Sequence, residues 1–65
     1  MRIKGWKKTG KNVWRNKQRK AKIRILKHQG RWFYEVDDYM GAHAFESGTY
    51  KKAYDDVIAY MKAYK

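Results

Sequence analysis

The chain has 65 residues with no cysteine and no proline, three Trp, six Tyr and two Phe, and a formal net charge of +11. That length allows one domain burying only about 60% of the surface its unfolded chain exposes, and the lack of cysteine excludes disulfides, thiolate zinc sites and thiol catalysis. Large aromatic rings must therefore fill the core, and no stretch approaches the roughly 20 apolar residues of a membrane helix.

The charge is divided along the chain. Residues 1–31 hold thirteen Lys or Arg and no acid, whereas residues 32–65 hold four lysines against six acids. Such asymmetry points to a polyanionic partner on the basic side. Met1 to Lys4 leads into further lysines instead of an apolar run, so no export leader is expected and the location expected is cytoplasmic.

Residues 1–19 read as a basic, partly ordered segment. Residues 1–6 and 12–15 can each form a short strand around a turn at residues 9–12, with a second turn at residues 16–19. Their tryptophans argue against plain disorder. Residues 20–48 read as antiparallel sheet. A two-residue turn at Gln29-Gly30 pairs His28 with Arg31 and so fixes every other pair between residues 20–27 and 32–38. One face then carries Ile25 opposite Tyr34 and Ile23 opposite Val36, and is the core side. The other carries Leu26 opposite Phe33, Arg24 opposite Glu35 and Lys22 opposite Asp37, and faces solvent with cross-strand ion pairs. A turn at residues 39–41 leads to a third strand over residues 43–46, placing His43 and Phe45 on the core side, with Phe45 in the core and His43 interior or at an edge.

Residues 49–65 read as helix. Tyr50, Ala53, Tyr54, Val57, Ile58, Met61 and Tyr64 keep one apolar stripe, Thr49 is the expected N-cap, and Lys62 and Lys65 suit the C-terminal dipole. The fold class expected is α+β: a three- to four-stranded antiparallel sheet packed against one C-terminal α-helix, in a single domain.

Catalytic chemistry finds little footing. Residues 5–12 read G-x-x-x-x-G-K-N, one residue from a phosphate-binding loop, but Asn12 replaces the hydroxyl that would hold magnesium, only a few residues precede Gly5, and 65 residues leave no room for a Walker B strand. His28 and His43 lie on different turns without a third ligand. Asp37-Asp38 and Asp55-Asp56 are adjacent pairs whose side chains diverge, and an early helix position explains Asp55 and Asp56 through the dipole. No enzyme activity, cofactor or metal is expected.

Basic residues interleaved with aromatics carry more weight. Lys4, Lys7, Lys8, Lys11, Arg15, Lys17, Arg19, Lys20, Lys22 and Arg24 are the candidate nucleic-acid-binding residues, because Lys and Arg neutralise phosphates and release counterions. Trp6 and Trp14 are either core rings or, if exposed, platforms for base stacking. Asn12, Asn16 and Gln18 could add hydrogen bonds to phosphate or base edges.

The order hairpin, third strand, turn and helix, with Gly30-Arg31-Trp32-Phe33-Tyr34-Glu35-Val36 in the second strand and Phe45-x-x-Gly48-Thr49-x-x-x-Ala53 entering the helix, resembles small β-β-β-α DNA-binding domains. These are the arm-site-binding domains of phage-type integrases and the plant AP2 domains; short uncharacterised phage-encoded proteins are similar too. The resemblance covers residues 20–65. It implies that the outer sheet face meets the major groove, with Lys22, Arg24 and Arg31 nearest the bases. Glu35 and Asp37 depart from that pattern and shift the expected contact to residues 2–20.

The expected function is a small basic nucleic-acid-binding protein, with double-stranded DNA ahead of RNA, acting through phosphate contacts with little sequence specificity. The alternative is a small phage-type interaction protein docking on an acidic protein surface. A membrane partner is not expected, since the polar side of the helix is not lysine-rich.

Overall fold

The Gln29-Gly30 turn adopts the primed geometry that matches strand twist, with φ of +51° and +77°, and it joins β3 (Ala21–His28) to β4 (Arg31–Asp38). Pairing runs from His28–Arg31 through Lys22–Asp37 in the register that the turn dictates. At the far end of β4, Tyr39 and Met40 make a second two-residue connection to β5 (Gly41–Gly48). Here neither turn residue has a positive φ; Gly41 takes φ +116° instead, which lets the chain rejoin the twist. The Met40 amide donates to Asp38 Oδ1 at 2.9 Å.

The computed structural model describes residues 3–64, so Arg2 and Lys65 lie outside the described residues. The sheet has five antiparallel strands in sequence order, more than the three or four expected. The additional strands are β1 (Lys7–Gly10) and β2 (Val13–Asn16). The first strand is expected over residues 1–6, of which residues 1 and 2 lie outside the described residues; within the rest Lys4 and Gly5 form a turn closed by an Ile3–Trp6 bridge, and β1 begins at Lys7. Residues 5–12 thus form turn, strand and hairpin, not a loop feeding a helix.

One helix, α1 (Tyr50–Ala63), crosses one sheet face. The Lys52 amide donates to Thr49 Oγ1 at 3.2 Å, so Thr49 is the N-cap. Asp55 and Asp56 fall in the second turn, where the dipole explanation fails, because no acid occupies the first turn. They meet Lys51 and Lys52 at 3.3 and 3.1 Å, and Asp56 also accepts from Ser47 Oγ at 2.8 Å.

Ile23, Ile25 and Val36 from the sheet meet Ala53, Val57 and Met61 from the helix, and Ile3, Trp6, Trp14 and Ala21 close the N-terminal side. Every tryptophan docks edge-on against a helix tyrosine: Trp32 on Tyr50 at 5.0 Å, Trp14 on Tyr54 at 5.8 Å, and Trp6 on Tyr60 at 6.3 Å. Trp6 Nε1 also donates to the Tyr64 carbonyl at 3.1 Å, satisfying a group the helix end leaves open. Aromatic pairs of this geometry contribute about 0.5–1.5 kcal/mol beyond their burial, which is how so small a chain holds the helix. Trp6 and Trp14 are 6% and 5% exposed; neither presents a face to a base, and the stacking expectation is corrected accordingly. Phe45 needs the opposite correction. It lies on the helix side and stacks on Tyr34 at 5.1 Å, but β5 is the outermost strand and Phe45 remains 46% exposed. His43 on the same strand is exposed.

Candidate nucleic-acid interface

Side chains alternate across the sheet, so the pairings decide which cations share its open face, the one the helix leaves uncovered. Lys7 pairs with Arg15, Arg15 with Lys22, and Lys22 with Asp37. Lys7, Arg15 and Lys22 thus form one row across β1, β2 and β3. With strands about 4.8 Å apart, three cationic side chains are rooted within roughly 10 Å. Like charges directly opposite one another destabilise a sheet. The row therefore costs stability.

Two shallow hollows flank Arg15. One, of about 160 Å³, is lined by Arg15, Lys20, Ala21, Lys22 and Asp37. The other, of about 250 Å³, is lined by Lys7, Thr9, Arg15, Lys17 and Gln18 together with Gly5 and Asn16. Arg15 borders both. Lys17 and Lys20 reach the site because the β2–β3 connection folds tightly, with the Lys20 amide donating to the Lys17 carbonyl at 3.2 Å and Lys20 at φ +52°.

The remaining sequence-selected cations lie elsewhere. Arg24 is on the open face, but its Nε meets Glu35 Oε1 at 2.7 Å. Lys22 and Asp37 face each other in register without an ion pair within 4 Å among the described residues, so only one of the two expected cross-strand pairs forms. Lys8 points to the helix side, its Nζ 5.7 Å from the Trp14 ring. Arg19 does likewise over Tyr64 at 5.9 Å. Lys11 occupies the β1–β2 turn and Lys4 the turn before Trp6, both exposed.

The expected polar contacts are also redistributed. Asn12 Oδ1 accepts from the Tyr50 hydroxyl at 2.8 Å. Asn16 is buried, its Oδ1 holding the Arg19 amide at 3.0 Å. Both residues shape the fold; Gln18 alone remains exposed beside the hollow.

The β4–β5 half of the open face is acidic, carrying Glu35, Asp37 and Glu46, with Glu46 held by Arg31 at 2.6 Å. The face is thus cationic over β1–β3 and anionic beyond. Tyr39 and Met40, 83% and 70% exposed, project from the β4–β5 turn and share a hollow with Arg19. From sequence they are expected only as part of a turn. The signal was present: two large apolar residues occupy positions where Gly, Asn or Asp is usual. No helix among the described residues is long and apolar enough to cross a membrane.

No family model, no curated protein and no solved structure matches this chain.

Proposed function

We propose that the protein binds nucleic acid, double-stranded DNA ahead of RNA, through phosphate contacts from the open face of β1–β3 and with little preference for base sequence. The observation that carries this reading is the row Lys7–Arg15–Lys22. Three mutually repelling cations across three neighbouring strands are unfavourable for the fold alone, and phosphate oxygens would relieve them. Lys17 and Lys20 extend the row at the β2–β3 turn. Specificity is low on this reading because the groups that read base edges are occupied: Arg24 and Arg31 by carboxylates, Asn12 and Asn16 by the fold. Glu35 and Glu46 already hold Arg24 and Arg31, and Asp37 is an unpaired acid among the described residues, so the centre of the sheet offers a duplex no spare positive charge and docking is confined to the β1–β3 side. That differs from the central groove docking implied by the resemblance to integrase arm-binding and AP2 domains.

Fluorescence anisotropy with unrelated duplex sequences at low salt tests the reading. Similar affinities are expected for every duplex, all weakened when Lys7, Arg15, Lys20 and Lys22 are changed to Gln. Absence of binding to any duplex or to RNA contradicts it.

A second reading, docking on an acidic protein surface, draws on the exposed Tyr39–Met40 tip beside Arg19, since aromatic residues, Met and Arg are enriched at protein interfaces. It predicts that substituting Tyr39 and Met40 with Ser abolishes partner capture while nucleic acid never binds.

A further inference from the structure

The two edges of the sheet are built differently. β1 is four residues long, carries Lys7 and Lys8, and has a register irregularity between Lys8 and Gly10. Short length, lysines and bulges are the devices that keep an edge strand from pairing with another chain. β5 has none of these over most of its length. It runs for eight residues, Gly41–Gly48, with a single charged residue, and residues 41–46 are all exposed. Its one register irregularity faces Trp32 and Phe33, beyond Glu46.

We propose that β5 is a homodimer interface, pairing antiparallel with β5 of a second copy about a twofold axis at Ala44. The register follows from the alternation of hydrogen-bonded pairs. Next to a two-residue primed turn the flanking pair exchanges hydrogen bonds, so on β4 residues 31, 33, 35 and 37 bond toward β3. Residues 34 and 36 then bond toward β5, where they meet Phe45 and His43. The N–H and C=O groups of Ala42, Ala44 and Glu46 are left facing outward.

Only one twofold register uses all three residues. Ala44 lies opposite Ala44 of the second copy, and Ala42 opposite Glu46 on both sides, which forms about six backbone hydrogen bonds. Side chains agree with it. On the open face alanine meets alanine and glutamate meets alanine, without a clash of like charge. On the helix side His43 of each copy falls opposite the exposed Phe45 of the other, in the closely spaced non-hydrogen-bonded pairs. Slipping the register to centre on Glu46 would set two carboxylates against each other.

The self-complementary register along β5 selects a second copy as the occupant, and charge does not oppose it. Two chains of net charge +11 repel, but the excess lies in residues 1–31. Pairing along β5 joins the halves of small net charge, four lysines against six acids in residues 32–65, and keeps the cationic β1–β3 sides farthest apart. This arrangement is independent of the nucleic-acid reading, because neither copy contributes its basic row to the contact.

Sedimentation equilibrium of the full chain without nucleic acid tests the proposal. The mass should double as concentration rises from micromolar toward millimolar. Ala44→Lys sets two lysines face to face at the axis and should raise the dissociation constant about fivefold or more; Ala44→Glu should do the same. An equimolar mixture of the two variants should recover dimers, which a merely damaged strand could not do. Ala59→Lys, at an exposed helix position, should leave association unchanged. Should the Ala44 variants fail to fold, hydrogen exchange on the wild-type chain gives the same answer, with the amides of Ala42, Ala44 and Glu46 slowing as concentration rises. A wild-type chain that stays monomeric overturns the proposal. So does a dimer indifferent to both Ala44 variants, or exchange at those amides that does not depend on concentration.

Discussion

Replacing Arg15 by Gln separates binding from folding because the two effects have opposite signs. Arg15 stands between Lys7 and Lys22 on neighbouring strands, and no carboxylate pairs with it among the described residues. Two unit charges about 6 Å apart at the water-exposed limit repel by about 0.7 kcal/mol. A Debye length of about 10 Å at 0.1 M salt roughly halves that. Removing Arg15 relieves two such contacts, so the fold should gain roughly 0.7 kcal/mol. For a domain of this size that raises Tm by about 3–5 °C. Glutamine keeps part of the aliphatic stem, which limits lost packing. The gain should vanish near 1 M salt, where the screening length falls to about 3 Å. Duplex affinity should move the other way, falling about eightfold at 0.1 M salt for one lost phosphate contact. Calorimetry read against anisotropy decides the matter. A variant that melts lower and binds as tightly as wild type would refute the reasoning and make Arg15 a structural residue.

Arg24→Gln is the matched control: its ion pair with Glu35 is exposed, so the cost should stay below about 1 kcal/mol, with the salt dependence of binding unchanged in anisotropy. Trp14→Phe should lower Tm, because the ring packs on Tyr54 in the core, yet leave duplex affinity within about twofold; a large loss of affinity with an unchanged Tm would restore the stacking role. Alkaline pH should destabilise the fold. Burial raises the Tyr34 pKa, with Asp56 adding and Lys52 opposing. Burial also raises that of Tyr60, with Asp38 and Tyr64 adding. Both phenols therefore favour the folded state while protonated. That contribution is complete below the unfolded value of 10.0 and is lost as pH rises through the higher folded values. Thermal melts between neutral pH and strong alkali should decline above that point, and the decline should shrink in Tyr34→Phe and Tyr60→Phe.

The part of this fold legible in the sequence was the part fixed by local chemistry. Gln29-Gly30 determines one hairpin and thereby every pair between β3 and β4, and Thr49 with the apolar stripe marks the helix. The first two strands were blurred because each is four residues long and rich in polar side chains, leaving too few alternations to recognise. Phe45 was misplaced for another reason. Side-chain parity tells which face a residue occupies, not whether a helix reaches over it. The cationic row was hidden as well. Lys7, Arg15 and Lys22 have no common sequence period; they align because of turns at Lys11-Asn12 and at residues 17–20, whose lengths were not fixed by any turn signal as strong as Gln-Gly. Trp6 and Trp14 sit in a basic stretch, but the helix tyrosines that bury them are 54 and 40 residues further on.

The central claim is that a small set of cations on β1–β3 meets phosphates. The slope of log K against log salt for duplex binding measures that number directly. If Lys7, Arg15, Lys17, Lys20 and Lys22 each neutralise one phosphate, the slope should be about −4.5, and each Gln substitution among them should reduce its magnitude by about 0.9. A slope near zero, or one that the substitutions leave unchanged, would contradict the account.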